Sequence, residues 1–127
     1  MITIAVAVVV HDGSVLVGHR SADATEAAGL AEFPGGKVEH GETPEQAATR
    51  ECREETGLVV RPLHRLDHAV GASSTGPIEI VFVAVELVDD RVAPRPPFTW
   101  VPRSGLDTLV FPSANARVLA ILAQGGS

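Results

Sequence analysis

A single cysteine, Cys52, stands among the 127 residues, so no internal disulfide can form and a reducing, intracellular setting is expected. Long apolar runs are missing too. The longest, Ile2 to Val10, is nine residues with one threonine, too short to cross a bilayer, and it lacks the basic flank and small-residue cleavage site of a signal peptide. Basic residues are scarce, ten against sixteen acidic ones. The resulting charge of −6 argues against a nucleic-acid polymer as partner, since such binding rests on Lys and Arg neutralising phosphates. A single phosphorylated small molecule stays open, because a bound cation inverts the local field. No repeat or linker divides the chain, and the five histidines show no metal-ligand spacing. One soluble domain, 1–127, located in the cytoplasm, is the expectation.

What the chain does have is one dense stretch, Gly36 to Leu58, reading GKVEHGETPEQAATRECREETGL. Its second half carries clear helix ends. Thr43 suits the N-cap, Pro44 the first helical position, and Gln46 completes a Thr-x-x-Gln capping box; Gly57 supplies a left-handed stop. Between these ends, Glu51, Glu54 and Glu55 recur at i, i+3 and i+4, which sets them within roughly a 100° arc of one helix face. Like charges so close repel, and a hard cation with oxygen ligands turns that liability into a site. The alternative is a solvated amphipathic helix with an acidic face.

The same stretch resembles the Nudix family. Its box, G-x5-E-x7-R-E-U-x-E-E-x-G-U, is matched by Gly36, Glu42, Arg50, Glu51, Cys52 at the bulky apolar position, Glu54, Glu55, Gly57 and Leu58. The resemblance implies a Nudix fold and Mg²⁺- or Mn²⁺-dependent hydrolysis of a nucleoside diphosphate linked to another group. It makes Glu51, Glu54 and Glu55 metal ligands, with the Gly35 carbonyl as a further donor. Arg50 and Glu42 would hold the loop and carboxylates in place. Cys52, mid-helix at the apolar position, reads as a small core residue.

The remaining pattern is β-rich. Ile2–Val10 reads as a central strand, His11-Asp12-Gly13 as a hairpin turn, and Val15–Arg20 as the return strand. Lys37–Glu39 suggests a short strand, and Val59–Val70, broken by Pro62, an irregular edge strand. Gly71–Pro77 suggests a flexible loop, Ile78–Leu87 a strand, and Phe98–Val101 another. A one-turn helix is expected over Ser104–Leu109, then a last helix capped by Ser113 that runs to about Ala123 with Val118, Leu119 and Leu122 inward. Two helices covering a mixed sheet give an α/β/α sandwich.

Within the family the chain looks like the MutT-type members, which hydrolyse 8-oxo-dGTP and related triphosphates to monophosphate and pyrophosphate. The likeness lies in Arg20-x-Ala22-Asp23, Glu32–Lys37, Gly41–Ala47 and Phe111-Pro112-x-Ala114-Asn115. It implies Asn115 as a base reader, Arg20 as a nucleotide contact, and Phe82 or Phe111 as an aromatic wall. Glu54 would activate the attacking water. Thr99 stands where such members carry a further carboxylate, with Glu79, Glu86 or Asp90 as possible substitutes, and Thr25 corresponds to a polar base-pocket residue. Other readings are an ADP-ribose or related pyrophosphatase, and a nucleotide-sensing module. The chain lacks the tyrosine of the dinucleoside polyphosphate group, and Ser73 stands at the proline position of the ADP-ribose group. The substrate expected is a small nucleotide, taken up by a monomer or homodimer.

Overall fold

The computed structural model describes residues 1–22 and 29–125. The β-branched run at the N-terminus forms strand β1 (Ile2–His11). Asp12 and Gly13 take φ of 50° and 77°, the sense of turn that follows strand twist, and the chain returns antiparallel as β2 (Ser14–His19). Strands β3 (Ala31–Glu32), β4 (Gly35–Lys37), β5 (Val60–Ser73), β6 (Gly76–Leu87) and β7 (Thr99–Pro102) complete one seven-stranded sheet. Only β1 and β6 run parallel among its pairs; the others are antiparallel.

Side chains alternate across this sheet with a period of two. Ala5, Ala7, Val9, Leu16, Val81, Val83 and Val85 pack beneath helix α1 (Pro44–Thr56) with Ala47, Ala48 and Cys52. Val8, Val15, Val17 and Phe82 fill the opposite face beneath α2 (Ala116–Ala123), against Val118 and Leu122. A helix on each face of a mixed sheet is the expected α/β/α sandwich.

The edge of β1 away from β6 is shared between two partners, and that positions the site. Ile4, Ala5 and Val6 pair with Lys37, Gly36 and Gly35 of β4, whereas Val10 and His11 pair with β2. Between them, Ala7 N–H donates to Pro34 O at 2.8 Å. The glycine loop is thereby stitched into the middle of the sheet.

Helix α1 begins and ends as its sequence dictates. Thr43 accepts from Gln46 N–H at 3.1 Å, the Gln46 side chain accepts from Thr43 N–H at 2.9 Å, and Gly57 closes the helix at φ 80°. Arg95 was not foreseen: its N–H donates to Thr56 O at 2.9 Å and its Nη2 to Arg53 O at 3.2 Å, so a cation covers the last carbonyls.

Four expectations move. The short strand lies at Gly35–Lys37, not Lys37–Glu39, because the backbone of the paired glycines joins the ladder. The loop over 71–77 is mostly strand, with Gly71↔Ile78 and Ser73↔Gly76 paired and only a tight turn between β5 and β6. The one-turn helix is a 3₁₀ segment over Arg103–Thr108. Ser113 makes no side-chain cap; Ser113–Asn115 form a 3₁₀ turn after Pro112, and α2 starts at Ala116 with Val118 and Leu122 fully buried and Leu119 less so. As expected, β5 is an edge strand, with register shifts between Pro62 and His64 and between Arg65 and Asp67.

Candidate active site

The helical period decides how the three glutamates differ. At ~100° per residue, Glu51 and Glu55 fall in the sector between Ala47 and Ala48, whereas Glu54 falls ~20° outside it. Ala47 and Ala48 are fully buried, so Glu51 and Glu55 are drawn beneath the glycine loop. A Cβ on Gly36 would overlap the Glu51 carboxylate, and Gly35 N–H donates to Glu55 Oε1 at 3.3 Å. Burial pushes the Glu55 carboxyl up to about 7, against the Gly35 hydrogen bond, with Glu51 and Glu32 adding negative charge. Glu54 points outward, its side chain 59% exposed.

Arg50 ties the group together. Its Nε and Nη2 bind the two oxygens of Glu42 at 2.7 and 3.0 Å, a fork-to-fork pair. Nη1 reaches Glu51 at 3.0 Å and Glu54 at 3.2 Å, and Nη2 also donates to Lys37 O at 3.0 Å. Glu42 in turn accepts from Glu39 N–H at 3.0 Å, and the Arg50 guanidinium pulls its carboxyl down to about 2. The same contacts drive the Arg50 pKa upward.

Among the described residues no three His, Cys, Asp or Glu side chains close into a metal cage. The reason is visible at Glu54, whose carboxylate is turned to Arg50 instead of inward. The donor chemistry still fits a hard divalent cation. Glu51 and Glu55 are all-oxygen donors packed together, and the Glu55 carboxyl is raised first by burial and then by the neighbouring charges of Glu51 and Glu32.

On the α2 face a cavity of about 520 Å³ opens beside this group. Its floor is aliphatic, Ile4 and Val6 from β1 and Ile78 and Ile80 from β6; Phe33 and Gly35 bring it to the glycine loop. Arg20 and Asn115 both line it, so two residues 95 positions apart share one cavity. Asn115 is 8% exposed and its side chain does not cap α2, which leaves the amide to the cavity. Arg20 Nη1 lies 3.3 Å from Glu32 Oε1.

Two aromatic expectations need correction. Phe82 is fully buried in the core beneath α2, in register with Val6, and does not line the cavity. Phe111 also lies outside the lining; its ring packs on Phe33 with centroids 5.0 Å apart and backs the residue that does face the cavity. Thr99 is exposed and paired with Val17. Of its suggested substitutes, Glu79 binds His68 and Glu86 binds Arg61, each at 2.6 Å, while Asp90 is exposed. Thr25 and Asp23 lie outside the described residues.

Glu32 was missed as a site residue. Among the described residues it is the only acid in the cavity lining, and its charge is felt at Glu55. A two-residue strand gives no periodicity from which its direction could be read.

Comparison with known proteins follows this geometry. The NUDIX domain pattern spans residues 1–120. An 8-oxo-dGTP diphosphatase of Escherichia coli (strain K12) is 35% identical over 113 residues, 87% of each chain. A CTP pyrophosphohydrolase of the same strain is 47% identical over 58 residues, 46% of this chain and 42% of its own. The crystal structure of a MutT protein from Methanosarcina mazei Go1 superposes with a TM-score of 0.80 at 21% identity, over 98% of this chain and 94% of that one.

Proposed function

This chain belongs to the NUDIX domain family, and from that premise we propose that it is a Mg²⁺-dependent pyrophosphohydrolase acting as one domain. Its substrates are (deoxy)nucleoside triphosphates, oxidised ones such as 8-oxo-dGTP included, cleaved to monophosphate and pyrophosphate. One observation carries this reading. The cavity that contains Arg20 and Asn115 also contains Gly35, whose N–H binds Glu55 of the carboxylate helix. A nucleotide with its base at Asn115 and its phosphates toward α1 is supported by that continuity. The names of the two enzymes to which the chain is similar, an 8-oxo-dGTP diphosphatase and a CTP pyrophosphohydrolase, support a triphosphate substrate.

The chain's own residues divide the work. The Asn115 amide offers a donor and an acceptor to a base edge, and Arg20, held by Glu32, offers a guanidinium to the nucleotide. Glu51, Glu54, Glu55 and the Gly35 carbonyl would hold Mg²⁺, with Mn²⁺ as a substitute. When bound, the cation supplies neutralisation of charge on the phosphate oxygens. Glu54, outward and solvent-facing, takes the proton of the attacking water. Arg50 fixes the directions of Glu51 and Glu54, and Glu42 braces Arg50 and the turn after β4.

No helix among the described residues is long and apolar enough to cross a membrane. We place the enzyme in the cytoplasm as a monomer or homodimer, working on free nucleotides and not on a nucleic-acid polymer. The test is a Mg²⁺-dependent hydrolysis panel with products identified: common NTPs and dNTPs, 8-oxo-dGTP, 5-substituted cytosine nucleotides and ADP-ribose. Pyrophosphate release from triphosphates is expected. Turnover of ADP-ribose alone would overturn the proposal.

A further inference from the structure

Gly71 sits inside β5 with no backbone reason to be glycine. Its φ is not in the left-handed region, and it is paired in regular register with Ile78. The register shifts of β5 lie earlier, between Pro62 and His64 and between Arg65 and Asp67. A glycine in a strand interior gives up side-chain packing and costs conformational entropy, and one standard reason to keep it is close approach of a ligand. The surroundings supply that reason. A Cβ added at Gly71 would stand 3.2 Å from Ile80 Cδ1 and 3.5 Å from Ile78 Cγ1, two residues of the cavity floor. Gly71 lines the same cavity, as do Ala72, Ser73 and Ser74 after it. The Ser73 hydroxyl is engaged locally, donating to Gly76 O at 3.0 Å, so the turn is held by its own hydrogen bonds and does not reach across the floor. Four consecutive small residues, Gly71 to Ser74, thus line the cavity that Phe33 and Asn115 also line.

We propose that Gly71 is a specificity-determining residue, whose missing side chain leaves floor space over Ile78 and Ile80 for the second ring of a purine base. The inference rests on the reading that the cavity seats the base of the nucleotide. Side chains at this position would fill the space a two-ring base needs and leave room for a one-ring base.

The experiment compares wild type, Gly71→Ala and Gly71→Val on purine and pyrimidine triphosphates, with Asn115→Ala as the control for base seating. Thermal melting establishes that each variant is folded. The expected result is a graded loss for purines, alanine before valine, with Gly71→Val lowering kcat/KM about tenfold or more. Pyrimidine turnover should stay within about threefold, so the purine-to-pyrimidine ratio falls. Equal losses for both classes, or none, would overturn the role of Gly71. If Asn115→Ala still raises KM in that case, the seating of the base stands without it. If neither substitution moves KM, the base lies elsewhere and both readings fall. Gly71→Ala keeps the test decisive should the valine variant misfold.

Discussion

The two ends of the site are built on opposite plans. At the helix end, charged groups are crowded and over-connected: Arg50 alone contacts Glu42, Glu51, Glu54 and Lys37 O. At the cavity end, the ion pair of Arg20 with Glu32 and the Asn115 amide are set among aliphatic side chains and a lip of small residues. In a crowded network each group fixes the direction of the next, and the least exposed members are the hardest to replace. A sparse cavity can exchange one residue for another and change what it accepts. On the proposed reading, reaction type and substrate choice are separated in space, with Gly35, which lines the cavity and binds Glu55, as their junction.

The contrast is broken most severely at the crowded end. Glu54→Gln should lower kcat by about 10²-fold or more with melting temperature nearly unchanged, because Glu54 is far more exposed than Glu42 and Glu51, the other carboxylates hydrogen-bonded to Arg50. Steady-state kinetics beside a thermal melt checks this, and unchanged turnover would remove Glu54 from the proposed role. Arg50→Lys keeps the charge and loses the fork that holds Glu42, so activity should drop together with the midpoint of denaturant unfolding, whereas a substitution at the isolated surface pair Arg61–Glu86 should move neither.

At the sparse end, effects should be smaller and confined to binding. Asn115→Ala should raise KM about five- to tenfold and leave kcat nearly as it was, measured on the preferred triphosphate. A pH effect is expected in the metal-free protein, in stability and not in turnover. The Glu55 carboxyl, ordinarily near 4.5, is held at about 7 in the folded chain. Between those values the folded chain binds more protons than the unfolded one, so stability falls as pH rises through the window and the loss is complete above it. Melting temperatures in chelator should show that decline for the wild type and a flatter profile for Glu55→Gln.

The same contrast explains what the sequence disclosed. The crowded end is local: capping residues, glutamates and the glycine stop lie within one stretch, so helical periodicity reveals them. Even there, period alone did not show that Glu54 would turn to Arg50, because that choice depends on Glu42 and on Lys37 O across the loop. The sandwich was legible from the nearly continuous apolar run of Ile2–Val10, the alternation of Ile78–Leu87 and the family resemblance. The cavity was not, because its walls come from β1, β3, the β5–β6 turn and the 3₁₀ turn before α2. Phe82 shows the limit. It shares one face of the sheet with Ile78 and Ile80, which line the cavity, and packing with Val118 and Leu122 of α2, invisible in its own segment, sinks it into the core.

Gly36 draws a last consequence from this packing. It carries no charge, donates no side chain and takes no part in chemistry, yet the place its methyl would occupy already belongs to Glu51. In a saturation mutagenesis screen it should therefore score as intolerant as the acids themselves. A loss-of-function map of this protein would trace the outline of a shape as well as a list of reactive groups.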